Sequence, residues 1–116
     1  MPVLNKNDVQ QEEIFPGVAR TSIVDGILGA DSLSVGDVRL SPGSTVGTHI
    51  HPTEEAMVIL DGVLEAILGD EVITVSPGQT VLAPAGVKHG FVNRTEEKAR
   101  LLAIFPTARV ERTLVE

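Results

Sequence analysis

The sequence predicts a single all-β domain, and three observations carry that prediction. Short β-branched and aliphatic segments recur at similar intervals, turn dipeptides separate them, and no segment after residue 15 has helical periodicity. At 116 residues the chain can build one core, burying roughly two thirds of the surface its unfolded form exposes.

The opening, residues 1–14, is polar through Glu13 and reads as an N-terminal arm holding a loop or a short helical turn. Ala19–Val24 before Asp25-Gly26, and Ser32–Leu40 before Ser41-Pro42-Gly43, read as strands bounded by turn residues. Further strands are expected near 45–51, 55–61, 63–68, 71–75, 79–83, 88–93 and 99–105. Asp61-Gly62, Gly69-Asp70, Pro77-Gly78, Ala85-Gly86 and Asn93-Arg94-Thr95 punctuate them. Such a series fits a sandwich or a barrel.

Composition excludes several partners. Sixteen acidic against nine basic side chains give a formal charge of -7, which repels nucleic-acid backbones and anionic membrane surfaces. No apolar run exceeds the length of Ala56–Leu60, far shorter than the ~20 residues of a membrane helix, and the N-terminus lacks a basic start with an apolar core. The expected location is the cytoplasm, and the expected partner a small molecule. With no cysteine, disulfides, thiolate ligands and a cysteine nucleophile are all ruled out.

The chemistry concentrates between Gly43 and Gly62. If residues 45–51 form a strand, His49 and His51 emerge on one face. Pro52 then ends the strand, and a reversal brings Glu55 back beside the two imidazoles. This is metal-ligand spacing. The third and last histidine, His89, lies in a second segment, Gly78–Asn93.

The first segment reads G-x5-H-x-H-x3-E-x6-G through Gly43, His49, His51, Glu55 and Gly62. The second reads G-x5-P-x-G-x2-H-x3-N through Gly78, Pro84, Gly86, His89 and Asn93. The glycines and proline alone would coincide about once in a million alignments at usages of ~7% and ~5%. These segments, 43–62 and 78–93, resemble the two motifs of the cupin superfamily. The resemblance implies a double-stranded β-helix, or jelly-roll barrel, over the whole chain. It also implies one divalent metal ion held by His49, His51, Glu55 and His89. Glu54 falls outside the motif count and reads as a solvated turn residue.

Three neutral imidazoles and a carboxylate admit manganese, iron, nickel or zinc, and leave a net charge of about +1 around a divalent ion. Four ligands leave two adjacent octahedral positions for substrate. Alternation from Glu55 places Met57 and Ile59 on the inner face, and alternation from His89 places Phe91 there. With Phe105 these read as core residues that also shape the pocket. The opposite face, Ala56, Val58 and Leu60, is equally apolar and needs cover, from a second copy in a homodimer or from elsewhere in the monomer.

The chain has no tyrosine, and so departs from cupin epimerases and lyases with a tyrosine acid or base, and from thiol dioxygenases with a cysteine–tyrosine crosslink. Phe105-Pro106 with Arg109 resembles the C-terminal signature of cupins that linearise unsaturated uronates, which makes Arg109 a pocket candidate or equally a surface residue. That subgroup carries an aspartate where Ala103 stands and tends to have glutamine in place of Glu55. The expected function is a metal-dependent enzyme on a small oxygen-rich anion. Dioxygenase-type cleavage of an enediol, diketone or phenolic compound ranks ahead of isomerase or lyase chemistry on a sugar or uronate. The alternative from another class is a non-enzymatic metal or small-ligand binding module.

Overall fold

Alternating side chains give each strand a buried and a solvent-facing side, and the two central strands show it most regularly. In the computed structural model, which describes residues 2–115, β5 (Glu55–Asp61) buries Glu55, Met57 and Ile59 and leaves Ala56, Val58 and Leu60 half-buried. β10 (Ala99–Phe105) buries Ala99, Leu101, Ala103 and Phe105. The remaining strands are β1 (Glu12–Phe15), β2 (Val18–Val24), β3 (Ser34–Leu40), β4 (Thr45–Ile50), β6 (Leu64–Leu68), β7 (Glu71–Val75), β8 (Thr80–Ala83), β9 (His89–Val92) and β11 (Thr113–Leu114).

They form two antiparallel sheets, ordered β1-β2-β3-β10-β5-β8 and β11-β4-β9-β6-β7. From β4 to β10 the chain crosses repeatedly between them, so the apolar faces close on one core that includes Leu40, Met57, Ile59, Leu64 and Phe91. This is the all-β jelly roll expected of the sequence, and the central strands lie within a residue or so of their expected bounds.

The ends differ from expectation. The polar arm gives way at Glu12 to β1, which turns through Gly17, at φ 77°, into β2. Its only sequence signal was the pair Ile14-Phe15, too short to show a period. At the other end, the two-residue β11 pairs with β4, and a strand that brief leaves no pattern.

One irregularity positions the site. β4 pairs with β9 through Val46↔Phe91 and then His49↔His89, so β4 carries one extra residue in between. Val46 and His49 are an odd number of residues apart, yet both line the inner cavity; without the bulge, one of them would face outward. Gly90 makes room for it. A Cβ there would lie 2.6 Å from the Val46 carbonyl oxygen.

Asn93, fully buried, closes the second motif as a structural latch. Its amide donates to the carbonyls of Leu40, Ser41 and Glu97, and its oxygen accepts from the Thr95 amide and hydroxyl.

On the outer side of β3, Asp37 is buried and accepts from Arg100 Nε and Nη2, both at 2.9 Å, and from Lys6 at 3.2 Å. Burial pushes its carboxyl up, but Arg100 and Lys6 outweigh that and hold it below the usual value of 3.8. A depressed carboxylate stabilises the fold above its unfolded pKa and loses that contribution as pH falls through the folded one. Asp37→Asn is therefore expected to cost about 1.5–3 kcal/mol near neutrality. In thermal melts against pH, the gap from wild type should stay constant above about pH 5 and narrow below 3.8.

Candidate metal centre

The four motif side chains converge. His49 comes from β4, His51 from just beyond its end, Glu55 from the first position of β5 and His89 from the first position of β9. All four are buried, and their ligand atoms lie within 4.8 Å of one another. Pro52 ends β4, as its missing amide requires. Glu54 is exposed.

Backbone carbonyls set the tautomers. His49 Nδ1 lies 2.6 Å from the Gly47 oxygen, His51 Nδ1 2.6 Å from that of Glu111, and His89 Nδ1 3.0 Å from that of Val87. A carbonyl only accepts, so each ring donates through Nδ1–H and turns the Nε2 lone pair inward. The His51 Nε2 is buried with no hydrogen-bond partner. Glu55 Oε1 stands 2.8 Å from His89 Nε2 and 3.3 Å from His51 Nε2. Lone pairs so close to a carboxylate need a cation among them, either a proton or a metal ion. The donor set fits a divalent ion.

Titration agrees. Burial, reinforced by His89 and His51, lowers His49 to about 4. Burial pushes Glu55 up, yet the His51 and His89 rings reverse this and hold it below the ordinary range. Burial pulls His89 down, but the Glu55 carboxylate and the Val87 carbonyl leave it raised. Without metal, Glu55 therefore favours a proton on the His89 ring.

Around the ligands lies a cavity of about 320 Å3. Met57, Phe91 and Phe105 line it as expected, with Val38 and Leu101. The Phe105 ring meets His51 edge-on, with centroids 4.8 Å apart. Ile59 instead lies within the core, and Arg109 is exposed and does not reach the cavity. Two other arginines line it, Arg20 and Arg112. Arg20 shares its face of β2 with Val18, but nothing in that stretch reveals which face is inner. Arg112 belongs to a polar tail without periodicity. The Glu111 carbonyl, being backbone, had no residue-type signal.

The family model described as the Cupin domain matches residues 36–105, which contain all four converging side chains. The chain belongs to the cupin family. It is 28% identical over 101 residues to the polyketide synthase protein CurC of Streptomyces cyaneus, covering 86% of this chain and 66% of that protein. It is 31% identical over 97 residues to protein SchB of Streptomyces halstedii, covering 83% of this chain and 70% of that protein. The structure of the polyketide cyclase RemF from Streptomyces resistomycificus superposes with a TM-score of 0.81 at 26% identity, covering all of this cupin and 87% of that chain. Among the described residues, no helix is long and apolar enough to cross a membrane.

Titrating the metal-free cupin with zinc or manganese should raise its melting temperature saturably. It should also release protons, more of them below neutral pH than above it because His89 titrates above its ordinary value, read calorimetrically in buffers of different ionisation enthalpy. His89→Ala should abolish the proton release and weaken binding by at least about 100-fold.

Proposed function

We propose that this cupin is a metal-dependent enzyme acting on a 1,3-diketone or phenolic anion, and that it promotes ring closure of a polyketone-like substrate. The observation behind this reading is the buried three-histidine, one-glutamate cluster set in a cup whose other lining residues, apart from Arg20 and Arg112, are apolar. The likeness to CurC and RemF supports the substrate class. A divalent ion there supplies Lewis acidity, which lowers the pKa of a methylene between two carbonyls.

The chain's own contribution is to bind and orient. Three carbonyl-anchored rings and Glu55 would hold the ion. Met57, Phe91 and Phe105 exclude water and press a folded, planar substrate into a compact shape. The titratable side chains lining the cavity are the four ligands and two arginines. The protein therefore favours enolate chemistry through positioning and charge, with no dedicated side-chain acid. In the ring closure one methylene proton leaves, the enolate carbon bonds to a distant carbonyl carbon and the new alkoxide takes up a proton; a second proton from the same methylene then leaves with the hydroxide as water, and a carbon–carbon double bond forms. No oxidant is consumed.

Metal-loaded protein incubated with a linear triketone, with and without dioxygen, tests this reading. The expected product has lost one water, forms equally without oxygen, and falls to background with His89→Ala. Oxygen uptake with chain cleavage would instead establish dioxygenase chemistry, and no turnover by any metal-loaded form would favour a binding module.

We also infer a homodimer through the outer face of the six-stranded sheet. There Leu102 and Ile104 of β10 lie beside Val58 and Ala56 of β5, and Leu82 of β8, 56% exposed, lies beside Ala56. An apolar strip across three strands needs cover. Light scattering should give twice the chain mass, with Val58→Asp shifting it to that of one chain.

A further inference from the structure

We propose that the cavity holds a second recognition point, an anion subsite formed by Arg20 and Arg112. Its ligand would then carry a carboxylate or phenolate in addition to the two oxygens that reach the metal. This rests on the proposed chelation of a 1,3-dioxygen ligand and adds the charge of its far end.

The contrast between arginines is the first ground. On the outer side of the sheet, Arg100 is matched by Asp37 through two hydrogen bonds, and elsewhere on the surface Arg94 pairs with Glu65. Among the described residues, neither Arg20 nor Arg112 forms an ion pair, although both line the cavity. Arg20 is partly buried, and its guanidinium donates only to Ser22 Oγ, at 3.2 Å. For Arg20, holding a cation against apolar walls without a carboxylate is costly unless a ligand supplies the anion; Arg112 is exposed and adds its charge to the cavity lining.

The second ground is that both side chains are seated. Arg20 passes over Gly36, where a Cβ would stand 2.9 Å from its Cζ; no other residue at 36 leaves that path open. Arg112 lies over the Phe15 ring, 4.8 Å from its centroid. Phe15 in turn rests on Gly47, where a Cβ would come within 3.1 Å of Cε1. Guanidinium groups held in place lose less entropy on binding and fit planar oxyanions.

Charge is the third ground. Glu55, two arginines and a divalent ion together place about +3 in a chain whose formal charge is -7. A doubly charged anion fits that pocket better than a neutral diketone.

The test compares 3,5-dioxohexanoate with its methyl ester, which keeps the diketone and loses the anion, by calorimetric titration of the zinc-loaded protein. Wild type is expected to prefer the acid by about tenfold or more. Arg20→Met and Arg112→Met should each erase most of that preference while leaving ester affinity unchanged. Gly36→Ala, which keeps both arginines but blocks the seat of Arg20, should do the same. Equal binding of acid and ester, or variants that weaken both alike, would overturn the subsite and leave chelation standing. If the acid alone bound, still through the arginines and still with His89→Ala, the subsite would stand and chelation would fall. Binding of neither probe would overturn both.

Discussion

Three backbone carbonyls, those of Gly47, Val87 and Glu111, decide what this barrel can do. Each takes the Nδ1 proton of one histidine and so turns an Nε2 lone pair toward Glu55. Side chains alone would leave the rings free to rotate or to tautomerise. The carbonyls come from the β4 bulge, the turn before β9 and the C-terminal segment, so three separate parts of the backbone must be in place before any ion can bind. The cluster is a property of the closed barrel.

The bulge ties packing to chemistry. A regular β4 would present either Val46 or His49 to the interior, and the extra residue lets both face inward, one completing the apolar wall and the other joining the cluster that could hold a metal. Gly90 permits the close crossing, and Gly47 accommodates Phe15. Phe15 supports Arg112. A single irregular turn of backbone therefore touches the metal ligands, the apolar cup and the cationic rim together.

Much of this was legible in the residues. The histidine and glutamate spacing, the glycine and proline punctuation and the alternation of β5 and β9 identified the barrel, its central strands and the four converging side chains. Met57 and Phe91 followed from parity, and Phe105 from its apolar character. Ile59 faces inward as its parity requires but lies in the core and does not border the cavity, because face and depth are separate properties. The likeness behind Arg109 also misled; the chain turns after Phe105 so that Arg109 points to solvent and Arg112 reaches the cavity.

What the linear chain determined by itself is local: which stretches extend, where they turn, and which residue types can bind a divalent ion at that spacing. Those outcomes depend on backbone sterics and on side-chain chemistry within a few residues. Closure of the two sheets decided the rest: the ring tautomers, the seat of Arg20 across Gly36 and the arrival of Arg112 from the far end. These are contacts between segments distant in the chain, and only the folded path fixes their separations.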